Sequence, residues 1–154
     1  MSLKFKALLS GMVGGFIGNG ILGALFSVGP LKALLYDPNI QSKLFLEITP
    51  LRNIPASVAG LVILSAFHGL LFLIFKPSIP GTNWQKKGMF WGLTIWLLFW
   101  VPQEWFIYHT LLMEPLLLNL AELMVLAIGC FAEGLIIARL MNDKLNAEKL
   151  KGGR

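Results

Sequence analysis

Six polar side chains interrupt the apolar stretches of this chain: His68, Glu104, Glu122 and Glu133, with the amides Asn19 and Asn119. Carboxyl and imidazole groups at membrane depth are expensive, so each marks a candidate site for proton or ligand binding. Glu122 and Glu133 are eleven residues apart, close to three helical turns, so they project from one face roughly 16 Å apart. About fifteen apolar residues in their helix favour insertion by roughly 7 kcal/mol, and two central acids return most of that. The helix therefore needs partners that satisfy its carboxyls. At 1.5 Å per residue, His68 lies roughly 12 Å from Lys76 and Glu133 roughly 9 Å from Arg139. The similar depths predict a His68–Glu133 hydrogen bond or ion pair. Glu104 and Glu122 fall in the opposite half with Asn119, and Asn19 falls near the middle. The expected arrangement is a discontinuous polar ladder.

Pro102 stands two residues before Glu104. Inside a helix it removes one hydrogen bond and frees the Leu98 carbonyl. A kink beside Gln103 and Glu104 would make a small proton- or cation-accepting nook. The bland alternative is a kinked helix whose Glu104 bonds a neighbour or reaches the surface. Trp96 and Trp100 share a face and are candidates for an aromatic pocket, although such tryptophans more commonly pack. His109 and Glu114, with Glu104, are weak metal candidates in no recognised ligand spacing.

Other chemistry is set aside on composition. Cys130 is the sole cysteine, which excludes an internal disulfide, a dithiol redox pair and a thiolate zinc site. Two histidines at different depths cannot ligate one haem within a chain, and no feature supports histidine–methionine ligation. No phosphate loop, nucleophile elbow or zinc-protease motif occurs. No cofactor and no resident metal are expected.

The elements that must position these groups are membrane helices. Of 154 residues, 56% are hydrophobic and 14% charged, with mean hydropathy +0.71. Long apolar runs at this composition indicate a membrane protein. The expected fold is all-α: a single integral-membrane domain over residues 1–154, built as a four-helix transmembrane bundle. Its spans are about 6–29, 54–75, 88–108 and 115–140. The first run resembles a signal peptide at its basic start, but its core is too long, and a retained helix is expected.

Charge sets the orientation. With the N-terminus cytoplasmic, ten of the thirteen basic residues face inward, leaving only Lys32, Lys43 and Arg52 outside. Both termini are expected in the cytoplasm and the protein in the plasma (inner) membrane. The net charge of +5 is read as topology signal and lipid contact, not nucleic-acid binding. Residues 141–154 read as a polar cytoplasmic tail. In the first external loop, Asp37-Pro38 predicts a helix start, and Ile40, Leu44 and Ile48 predict a short interfacial helix ending at Thr49-Pro50.

Glycines predict how the spans meet. Gly11/Gly15 and Gly14/Gly18 form interleaved small-residue pairs on the first span, and Ala56/Gly60 suggest a similar face on the second. These could also join a second copy or another membrane subunit. An internal duplication is a further expectation: His68-Gly69-Leu70 matches Glu133-Gly134-Leu135, Ser65 then aligns with Cys130, and Gly11/Gly15 resembles Gly88/Gly92. The function expected is that of a non-enzymatic accessory or assembly membrane protein. The alternative is a proton-linked small transporter or channel using the carboxylate–histidine ladder.

Overall fold

The structure is a computed structural model that describes residues 2–142. The described chain is entirely helical between its turns. Three helices are long and apolar enough to cross a membrane: α1 (Leu3–Ser27), α4 (Ile54–Phe75) and α7 (Leu116–Leu140). Short helices α2 (Gly29–Leu35) and α3 (Lys43–Ile48) connect α1 to α4. Between α4 and α7 runs a helical stretch from Trp84 to Leu111, in four pieces: α5 (Trp84–Ile95), a π-helical segment, α6 (Val101–Gln103) and a second π-helical segment.

Side-chain caps start most of these helices, because the first N–H groups lack intrahelical partners. Ser2 accepts from the Phe5 N–H, Asn53 from Ala56, Asn83 from Lys86 and Ser42 from Phe45. Gly81, at φ +126°, supplies the left-handed backbone needed between α4 and α5. Met113 takes φ +57° without being glycine and folds the chain back into α7.

Glycine contacts give the direction of each helix. A Cβ on Gly11 would enter the Ser65 carbonyl, and one on Gly69 would enter the Ala7 carbonyl. As numbering rises in α1 it falls in α4, so the two are antiparallel. Gly14 faces Glu133 and Gly18 faces Gly129, so α1 and α7 are antiparallel too. Gly88 meets Leu135 and Gly92 meets Cys130, which sets α5 antiparallel to α7. The beginning of α1 and the end of α7 therefore lie at the same end of the bundle.

These contacts also reveal a repeated hairpin. A Cβ on Gly69 would meet the Ala7 carbonyl and the Gly11 backbone; one on Gly134 would meet the Gly88 carbonyl and the Gly92 backbone. Gly11 abuts the Ser65 carbonyl, and Gly92 abuts the Cys130 carbonyl. The α4 and α7 positions match as the sequence suggested. On the other helix of each pair the register differs: Ala7 and Gly11 correspond to Gly88 and Gly92, one turn away from the apparent Gly11/Gly15 match.

Three expectations change. The connecting helix starts at the Ser42 cap, not at Asp37-Pro38, because the Asp37 carboxylate is spent on the Asn39 backbone and side-chain amides in a local turn. Ile40, Leu44 and Ile48 are nevertheless all exposed. Gly60 meets nothing, and α4 from Ile54 to Gly60 is exposed throughout, so its packing face begins further along, at Ser65, His68, Gly69 and Phe72. Met141 is fully buried rather than part of a polar tail, and residues 143–154 lie outside the described region.

Candidate functional site

The polar layer nearer the start of α1 and the end of α7, the inner layer of the bundle, is a pair; the outer layer lies toward the opposite end. His68 from α4 and Glu133 from α7 approach to 2.8 Å between Nδ1 and Oε1, and both are buried. Their helices do not pack closely on each other; each packs on α1, whose glycines leave room for the two side chains to meet. Glu133 lies against Gly14 of α1, and Ser65, one turn before His68, lies against Gly15. The expected partner is observed.

The outer layer is larger than expected. Glu104, Glu114 and Glu122 each offer a carboxylate oxygen, and these oxygens lie within 4.8 Å of one another. Relative exposures are 2%, 1% and 8%, which puts all three inside the protein. The Asn119 amide donates to the Glu104 backbone carbonyl at 2.9 Å and to its Oε2 at 3.2 Å. The Arg52 cation bears on Glu104 and Glu122, and its guanidinium donates to the Tyr108 hydroxyl at 3.3 Å.

Sequence spacing did not place Glu114 in this layer. The left-handed turn at Met113 directs it inward, where its Oε1 accepts from the Gln41 side chain at 2.6 Å. Gln41 also donates to the Leu35 carbonyl, and Ser42 donates its hydroxyl to the Leu112 carbonyl. The connection between α2 and α3 is thus strapped over the outer layer, with Phe45 packed between Tyr36 and Tyr108. Burial pushes the Glu114 carboxyl above its ordinary range, opposed by the Gln41 hydrogen bond, the neighbouring Asn119 amide and the nearby His109. His109 itself bonds the Glu114 backbone carbonyl through Nδ1, so it is not part of the carboxylate cluster.

Pro102 does not leave a simple kink. The helix widens into π turns on either side of α6; the Val101 N–H reaches back five residues to the Trp96 carbonyl. A wide turn is one way to absorb a missing donor, and such turns recur at functional sites. Glu104 opens the second π-helical segment and is buried, which removes the alternative of a carboxylate reaching the surface.

Asn19 is half-buried and donates to the Gly15 carbonyl of its own helix, at 2.8 Å. It does not bond either carboxylate layer, so the middle rung of the ladder is missing. Trp96 and Trp100 are packing residues against the α5–α7 core. The Trp96 indole donates to the Leu123 carbonyl at 2.8 Å, and Trp100 sits edge-on to Phe99. Trp96→Phe should therefore cost about 1 kcal/mol through one lost, partly buried hydrogen bond, read by thermal unfolding in detergent. An unchanged midpoint would mean the indole N–H contributes nothing. No family model, no curated protein and no solved structure matches this chain, so its own geometry carries the functional reading.

Proposed function

We propose that this chain is a four-span protein of the plasma (inner) membrane, with both ends cytoplasmic, acting without catalysis as an accessory or assembly subunit. The Trp84–Leu111 stretch serves as the third span; at 28 residues it exceeds the roughly 20 needed. The α2–α3 connection then lies at the outer face, with Ile40, Leu44 and Ile48 toward lipid. The observation that carries the reading is cross-helix satisfaction of buried polar groups. Glu133 is paired with His68, Glu104 with Asn119, and Glu114 with Gln41, each within a bundle drawn tight by glycine. Polar pairs of this kind specify which helices meet. The partners proposed are the bilayer and other membrane subunits or a second copy. Gly11, Gly14, Gly15 and Gly18 are already occupied inside the chain, so a partner would meet other surfaces, such as the exposed start of α4.

A proton-linked transporter is the second reading, favoured by the Glu104–Glu114–Glu122 cluster. Proteoliposomes carrying a pH-sensitive dye separate the two. The accessory reading expects no proton flux above empty vesicles, and lower thermal stability for Glu122→Gln and Glu133→Gln. Flux in the wild type, abolished by Glu122→Gln at unchanged stability, would replace it with the transporter. Orientation is tested separately with single cysteines read by an impermeant maleimide in whole cells. Asn39→Cys should label and Ser78→Cys should not, with Cys130 buried and silent; the reverse pattern inverts the topology.

A further inference from the structure

The outer layer has more acceptors than donors. Glu114 keeps Oε2 without a hydrogen-bond partner among the described residues, although the residue is 1% exposed. Asn119 is fully buried, and its Oδ1 also has none. The orientation of that amide is set by its donation to the Glu104 backbone carbonyl, which only the nitrogen can make. The same nitrogen reaches Glu104 Oε2, so the amide turns its donor toward the cluster. A buried acceptor left unmade costs about 1–3 kcal/mol, more where charge is involved. The unpartnered Glu114 oxygen, in a group of three buried carboxylates, calls for an electropositive occupant.

We propose that Glu104, Glu114 and Glu122 bind a hard divalent cation of calcium's class. All donors are oxygens, the set that hard cations take. Calcium binds oxygen at about 2.3–2.6 Å, so ligands on opposite sides of one ion stand about 5 Å apart. Three carboxylate oxygens within 4.8 Å of one another fit on a single coordination sphere. Magnesium suits the site less, because it retains several waters and this layer is closed by the Gln41 strap. The ion would tie the Trp84–Leu111 stretch, the Met113 turn and α7 together at the outer end of the bundle.

The test is calcium binding to the full chain purified in detergent, by equilibrium dialysis with radioactive calcium and by calcium-dependent thermal shift. The expected result is one saturable ion per chain and a higher unfolding temperature with calcium than with chelator. Glu122→Gln and Glu114→Gln should each weaken binding by about tenfold or more. Glu47→Gln, an exposed acid on α3, should bind like the wild type. If Glu122→Gln fails to fold, Glu114→Asp keeps the charge, shortens the reach and should still weaken binding. Absence of saturable binding in folded wild type overturns the proposal, as does retention of wild-type binding in a folded Glu104→Gln/Glu114→Gln/Glu122→Gln variant. Either result leaves the accessory reading standing, because that reading is judged by proton flux and by stability measured in chelator.

Discussion

Alanine at Gly11 or Gly69 is expected to break the α1–α4 hairpin. The added methyl would be driven into backbone rather than side chain: Ser65 carbonyl and Gly69 nitrogen for Gly11, Ala7 carbonyl and Gly11 backbone for Gly69. A clash with backbone cannot be relieved by a rotamer change, so the helices must separate. Overpacking typically costs about 1–3 kcal/mol, and backbone contact places these positions at or above the upper end. Separation also withdraws His68 from Glu133, because both side chains are positioned by α1. Gly134→Ala should be as damaging as Gly69→Ala, since it meets Gly88 and Gly92 in the equivalent way on the second hairpin. Gly20→Ala, Gly23→Ala and Gly60→Ala meet nothing within 4 Å and serve as controls expected within about 0.5 kcal/mol of wild type. Denaturant titration in a fixed detergent reads all six. Equal midpoints for Gly69→Ala and Gly60→Ala would mean that the glycine contacts do not hold the bundle.

The contrast between Gly11 and Gly60 shows what a linear pattern can convey. Both sit in small-residue pairs at spacing four, and only the first pair is a contact. Spacing says that a helix offers a close-approach face; it does not say that a neighbour takes it. Periodicity along one helix was reliable wherever a single helix fixes the geometry. Glu122 and Glu133 share a face because three turns return to the same direction, and His68 meets Glu133 because depth follows from a constant rise per residue. What pattern could not supply was the path of the chain between helices. Glu114 reads from spacing only as a weak metal candidate at the surface with His109 and Glu104, and the left-handed backbone at Met113 carries it inward. Gln41 looked like the polar side of an amphipathic helix, but the real cap at Ser42 leaves it outside that helix and free to reach down to Glu114. A positive φ at methionine has no signature in composition or spacing, so the third carboxylate was hidden for a definite reason. The hairpin repeat was visible as His68-Gly69-Leu70 and Glu133-Gly134-Leu135. Its register on α1 and α5 was not, because Ala7 takes the place that Gly88 takes in the second copy and the glycine pattern slips by a turn.

Removing both members of the inner pair is expected to cost less than the two single removals added together. In Glu133→Ala the His68 ring stays buried with its Nδ1 partner gone; in His68→Ala the Glu133 carboxyl is stranded against the glycines of α1. Breaking a buried charged pair from one side costs about 3–5 kcal/mol, and a neutral hydrogen-bonded pair about 1–3 kcal/mol. The double variant has no orphan, so its loss should fall at least about 1 kcal/mol short of the summed single losses. Full additivity would show that the 2.8 Å contact carries no energy. A second comparison addresses the two layers together. Glu122 and Glu133 are roughly 16 Å apart along α7, and Asn19, between them in depth, is turned back onto Gly15. Glu122→Gln and Glu133→Gln should therefore add to within about 0.5 kcal/mol, as distant sites without shared partners do. Strong coupling would require a hydrogen-bonded path between the layers, which is what a proton-conducting ladder needs and a pair of separate helix clamps does not.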